Sequence, residues 1–248
     1  MNKKEISLIG ICTLIVVLSI IIYLFYFATP KAFPNEELLI DSMNELFPSA
    51  KVSRIQDVIH LNERNVFVPF ISRDNDYGIS YWIWDKYQWK VAKIETRGEP
   101  EVWKFNGNVP ANHHIVWNIN PNDQLSHLDF YLIRDRGYSI RNDIHTYYPK
   151  VQMTTTASLN EQSYGVMPVP SEWNSLLKAV ENIWITNQGD WLFGQVYQQD
   201  QLYIGWIPYA KNGKVFFPEY SVNGGGYINK SIKVEFLRIL NESELELP

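Results

Sequence analysis

Ile6 to Ala28 (ISLIGICTLIVVLSIIIYLFYFA) is an uncharged run of 23 residues, and it sets the first limit on what this chain can be. As a helix rising about 1.5 Å per residue it reaches roughly 34 Å, enough for a hydrocarbon core of about 30 Å. A helix satisfies its own backbone N–H and C=O groups, which lipid does not do. A soluble helix of this kind would need apolar neighbours on every face. A cleaved leader fits poorly, because its apolar part is shorter and Ala28-Thr29-Pro30 would put proline at the cut. Cys12 lies mid-run behind Ile11, which does not suit lipid modification. The reading is a transmembrane helix at 6–28, preceded by a tip at 1–5 and followed by a linker at 29–35.

Orientation follows from the flanks. Lys3, Lys4 and the α-amine precede the run, whereas Lys31 and then Glu36 and Glu37 follow it. Lysine and arginine are retained on the cytoplasmic side, so the N-terminus is expected inside and residues 36–248 outside. Tyr23 and Tyr26 fall near one end, where rings favour the headgroup layer.

Setting aside Lys3, Lys4 and Glu5 from 22 basic and 27 acidic residues leaves 20 and 26, a charge of −6 on the outer part. That argues against nucleic acid and against a polybasic lipid-binding surface. The single cysteine lies in the apolar run, so the outer part must rely on its core. Its aromatic fraction, 15%, points to a β-rich core with half-buried rings, or to rings displayed for a sugar or a protein.

Beyond the linker, Asn35 reads as an N-cap with Glu36 and Glu37 in the first turn, predicting a helix over 36–47. Lys51 to Phe105 reads as a meander. Val66-Phe67-Val68 precedes Pro69, which predicts an edge strand or a bulge. Gly78 to Trp84 reads as a central strand that turns at Asp85–Gln88 into Trp89–Glu95, and Asn106-Gly107 suits a tight turn. Further strands are expected at 114–119, 129–133, 151–159, 190–197, 201–209 and 214–217. The segment 134–149 reads as a functional loop or a longer hairpin. Ser171 is expected to cap a second amphipathic helix carrying Trp173, Leu176, Leu177 and Val180. Asn223 to Gly226 reads as a flexible tip, Ile232 to Leu240 fits either a strand or a helix, and the end should fray from Asn241. The expected fold class is α+β: the transmembrane helix, then a mostly antiparallel sheet domain with two short amphipathic helices. A split into two lobes near 160–170 is the alternative to one sheet system.

Chemical motifs are sparse. His113, His114, His127 and Asp129 are close in sequence, but there is no HExxH and no cysteine pair, so no metal or other cofactor is expected. The acids Asp85, Glu95, Glu99, Asp135 and Asp143 could serve a glycoside hydrolase, which needs two carboxylates roughly 5–10 Å apart, yet spacing selects no pair. Ser163-Tyr164-Gly165 lacks the glycine of a nucleophile elbow, and Asn223 to Gly226 lacks the Lys-Ser/Thr of a phosphate loop. Arg134-Asp135-Arg136-Gly137-Tyr138 offers two guanidiniums about a turn, a pattern that grips carboxylate or phosphate. Gly205-Trp206-Ile207-Pro208-Tyr209, after an aromatic strand, resembles the glycine-tryptophan corner of bacterial SH3-like wall-binding domains over about 25 residues. That family's arginine-serine-glycine strand is not evident here, and the resemblance implies envelope binding only.

The candidate ligand-binding residues are therefore Arg134, Asp135, Arg136, Tyr138, Trp206 and Tyr209. The expected function is a non-catalytic binding or interaction protein of the bacterial cell envelope, anchored through 6–28 and meeting envelope glycan or another membrane protein. The rivals are an envelope glycan hydrolase with paired carboxylates and a structural subunit of a membrane complex. For the latter the span lacks a GxxxG face.

Overall fold

The computed structural model describes residues 3–26, 29–105, 113–141, 143–186, 202–229 and 232–246, with side chains in the first helix described at 10–20, 22 and 23. The turn expected at Asn106-Gly107, the strand at 190–197 and the Val180 side chain lie outside the described residues. Strand makes up 48% of the structure, beside three helices, so the fold is mostly β.

Helix α1 runs Lys3–Tyr26, and every one of its described side chains is exposed. Among the described residues no helix is long and apolar enough to cross a membrane. Helix α2 is Glu36–Leu46, where Asn35 accepts the Leu38 N–H at 3.0 Å and the two glutamates sit at the positive end of the helix dipole.

The chain then forms β1 (Val52–Ile55), β2 (Ile59–Asn62), β3 (Asn65–Ser72), β4 (Tyr77–Asp85), β5 (Gln88–Glu95), β6 (Gly98–Lys104) and β7 (His113–Asn118). It continues as β8 (Leu125–Arg134), β9 (Gly137–Arg141), β10 (Ile144–Tyr148), β11 (Val151–Ser158) and β12 (Tyr164–Pro168). After α3 (Ser171–Thr186) come β13 (Tyr203–Ala210), β14 (Gly226–Ile228), β15 (Lys233–Phe236) and β16 (Arg238–Ile239).

Three sheets are stacked. The first has the order β1-β3-β4-β5-β14 with β2 also on β3, the second β12-β7-β6-β15, and the third β11-β8-β13-β16. Pairing is antiparallel except between β13 and β16. Side-chain alternation along each strand sets the layers. On β3, Val66, Val68 and Phe70 meet Leu39 and Met43 of α2, while Phe67 points the other way, against Trp103 and Val116 of the second sheet. The opposite face of that sheet (Val102, Ile115, Trp117) packs on Leu128, Phe130 and Leu132 of β8, with Trp173 of α3 closing the space. Tyr131 and Ile133 face outward beneath Leu240 and Leu245. The central strands β6 and β7 are thus buried on both faces, and β12 falls inside 160–170 and pairs with β7.

Several local expectations change. β3 is central rather than an edge, with β4 on one side and the short β1 and β2 on the other. Pro69 is tolerated because it faces the break between β1 and β2, where its carbonyl accepts the Gln56 N–H at 2.9 Å and no ladder donor is lost. The expected meander ends at β5, since β6 crosses into the second sheet. The linker is docked: the Trp89 indole N–H donates to the Lys31 carbonyl at 2.9 Å, and Phe33 packs edge-on against Trp82 and Trp89. Ser171 is the first residue of α3 rather than the one before it. Residues 223–226 are not a free tip. Gly225 N–H donates to Thr96 Oγ1 at 2.9 Å, and a Cβ on Gly226 would run into the Glu95 carboxylate. Residues 232–240 resolve as strands, and the tail stays folded to Glu246, whose N–H donates to Gln152 Oε1 at 2.9 Å.

Asn118 joins the first two sheets. Its buried amide donates to Gly78 O at 2.8 Å, Phe70 O at 3.3 Å and Gln56 Oε1 at 2.6 Å. Asn118→Ala strands these acceptors and should cost about 2–3 kcal/mol, lowering Tm by roughly 5–10 °C. Melting in detergent checks this, and a variant that melts with the wild type would remove Asn118 from the account of sheet docking.

Candidate functional site

The residues singled out in the sequence do not converge. Arg134 ends β8 and donates through Nη2 to Pro149 O at 3.3 Å. Arg136 pairs with Glu246 of the tail, and the Tyr138 hydroxyl meets His145 Nδ1. Segment 134–149 is a hairpin of β9 and β10 that stands clear of the three sheets, with Asp135 at its base. Trp206 is fully buried and donates its indole N–H to Leu237 O at 3.0 Å, so it presents no surface to a ligand. Tyr209 stacks on His127 at 4.9 Å and reaches Glu242 at 3.3 Å.

The histidines also separate, with His113 and His114 on β7 of the second sheet and His127 on β8 of the third. Burial, then Lys104, holds His113 down to about 4. Among the described residues no three of His, Cys, Asp and Glu gather as metal ligands would.

Two of the candidate acids, Glu95 and Glu99, do come together, beside a buried group that spacing alone did not reveal. The β4–β5 ladder slips by one residue between Tyr81 and Trp82, and the resulting bulge turns Lys93 toward the second sheet. There Lys93 pairs with Glu101 and, at 3.1 Å, with Glu95, while Tyr81 donates its hydroxyl to Glu101 at 2.5 Å. Phe236 lies over the Lys93 ammonium at 4.4 Å. Burial raises Glu101 to about 7 against the pull of Lys93, and burial followed by the Glu95 charge raises Glu99. Perturbed acids can mark catalytic sites. Here Lys93 is held between Glu95 and Glu101, and the recesses at Lys31–Trp89 and at the 120–124 turn are not lined by these acids.

A different feature faces solvent with chemistry to offer. The segment 214–217, expected as a strand, makes a single bridge (Tyr209 to Val215) and then turns at Pro218. It exposes Val215, Phe216, Phe217 and Tyr220 by 38–52%. The loop is firmly mounted. Asp123, 1% exposed, accepts the Ser221 hydroxyl at 2.5 Å and the Tyr220 N–H at 3.0 Å, while Arg97 donates to Glu219 O at 2.5 Å and Val222 O at 2.9 Å. The Asn120 N–H donates to Ser221 Oγ at 2.8 Å. Burial raises Asp123 despite these donors. The same 120–124 turn walls a recess of about 310 Å³, whose rim carries Asn120, Gln124, Asn160, Gln162 and Lys211. A proline inside a strand-like run was the sequence signal for this loop.

With that geometry in place, comparison adds no relative. No protein-family model, curated protein or solved structure matches this chain, and the SH3-like resemblance at Gly205–Tyr209 has no family model behind it.

The buried group yields a charge test. Lys93→Met leaves Glu101 without its cation and should cost about 3–5 kcal/mol, whereas Lys93→Met with Glu101→Leu should recover most of that loss. The sign with pH follows from Glu101. Its folded value lies above its unfolded one, so its stabilising contribution is full below about 4.5 and is lost as pH rises through about 7. Urea unfolding at pH 5 and pH 8 should show lower stability at pH 8, and Glu101→Gln should flatten that slope. A wild-type slope unchanged in Glu101→Gln would assign it to other groups.

Proposed function

We propose that this chain is a membrane-anchored, extracytoplasmic, non-catalytic binding protein of a bacterial cell envelope, and that its ligand is envelope glycan. The observation that carries the binding role is the aromatic loop at Val215–Tyr220, exposed yet braced by the buried Asp123–Ser221 clamp. Rings held in place before binding lose little conformational freedom on contact. Aromatic faces suit the apolar faces of sugar rings, and the amide-rich recess beside the 120–124 turn suits their hydroxyls.

The anchor rests on α1. Its described side chains, among them Ile11, Leu14, Val16 and Ile20, are exposed all round the helix, a pattern that fits a lipid surrounding better than water. The flanking lysines support a cytoplasmic N-terminus. The hydrolase alternative is not favoured, because Glu95 and Glu99 border a lysine-filled cluster rather than a recess.

The full chain in detergent should be retained on insoluble wall glycan, and Phe216→Ala with Phe217→Ala should reduce retention at least tenfold without lowering Tm. Unchanged retention would remove the loop from binding. Capture of another membrane protein in place of glycan would overturn the ligand class.

A further inference from the structure

The end of α1 leads into a surface built for the membrane boundary. The uncharged run stops at Ala28, and Lys31 lies three residues on, at most about 11 Å of extended chain from that point. Lys31 is fixed in place there. Its carbonyl accepts the Trp89 indole at 2.9 Å, and its ammonium sits 4.4 Å from the centre of the Tyr87 ring. The β4–β5 turn is therefore tied close to the point where the proposed anchor leaves lipid.

The composition of the turn matches that position. Lys86, Tyr87 and Gln88 are exposed at the tip, and Tyr87 lies 5.9 Å from Trp84, which in turn lies 5.5 Å from Trp89. Beside them a recess of about 340 Å³ is lined by Pro30, Lys31, Phe33, His60 and Trp89. Lys86 and Tyr87 both take left-handed backbone, with φ of 48° and 66°, the pair a type I′ turn requires and that Asn-Gly would adopt with least strain. A lysine and a tyrosine at such positions favour what the side chains touch over what the turn prefers. Tyrosine and tryptophan are the residues that settle in the headgroup layer, with lysine ammonium groups reaching the phosphates.

We propose that the β4–β5 tip and the docked linker form a second membrane contact, seated in the outer headgroup layer beside the exit of α1. This rests on the anchor reading above. The contact is aromatic rather than polybasic, since Lys90 is neutralised by Asp85 at 2.8 Å, and it persists at high salt. It also fixes how the sheets stand on the membrane.

The test uses the full chain in phosphatidylethanolamine–phosphatidylglycerol vesicles. In a Cys12→Ser background, Tyr87→Cys and Ile144→Cys each carry an environment-sensitive fluorophore, the second on the exposed β9–β10 hairpin of a separate sheet. The label at 87 should be quenched severalfold by lipids brominated near the headgroup and protected from aqueous iodide, at low and high salt. The label at 144 should behave in the reverse way. A label at 87 as open to iodide as that at 144 would overturn the contact while leaving the anchor intact. Shielding from iodide without lipid quenching would overturn it too, as the mark of a protein contact. An alkaline wash reads the anchor separately: release of the chain from vesicles removes both readings.

Discussion

A pair of central strands covered on both faces is the constraint on which this structure depends. The strands β7 and β6 pack on the first sheet on one side and on the third on the other, while β15 at the edge leaves Glu235 and Phe236 exposed. Each gap between packed sheets is about 10 Å, a width that the buried rings of Trp103, Trp117, Phe130 and Trp206 help to fill. This is where much of the aromatic content goes. Of the nine tryptophans, six (Trp82, Trp84, Trp103, Trp117, Trp173 and Trp206) are buried and Trp89 is half-buried. Among the described residues, therefore, tryptophan goes to the core rather than to an exposed platform.

Burial also dictates the polar chemistry. A polar side chain entering either gap must find its partners inside the protein. Asn118 does so by serving two backbone carbonyls of the neighbouring sheet, which fixes one sheet against the other in register as well as in depth. Lys93 and Glu101 do so by meeting each other, with Tyr81 completing the carboxylate. Such a pair adds little net stability over apolar residues of equal volume, because desolvation offsets most of the attraction. What it adds is selectivity, since a misplaced sheet would leave both charges buried alone.

Alternation and capping were legible because they are local. Asn35 with two glutamates announced α2, and the apolar run at 78–84 announced a strand covered on both faces. Pro69 misled because the rule that places proline at edges is a rule about missing donors, and the gap between β1 and β2 meets it inside the sheet. Residues 223–226 misled in a similar way: the glycines there allow close approach to β5 rather than motion. The site was less legible than the fold. Arg134 and Arg136 suggested a grip on an anion, but their partners, Pro149 and Glu246, are separated from them by chain that no local pattern connects. The braced loop depends on Asp123 and Arg97, each more than ninety residues from what it holds, so its rigidity existed only once the chain had folded.

The docked linker joins these points to function. Under the proposed anchor, a flexible tether would let the sheets tumble on the membrane, and the proposed ligand surface would then sample every orientation. Here Phe33 enters the ring cluster of Trp82 and Trp89, continuous with the core that holds α2. Turning the domain about its tether would expose those rings to water, at roughly 25 cal/mol for each Å² uncovered. In the proposed arrangement the linker, docked through Lys31 and Phe33, would act as a bracket rather than a loose tether. A fixed and extended polymer, such as the wall glycan proposed as ligand, would favour such an arrangement, since an orientation settled on folding need not be settled again on contact.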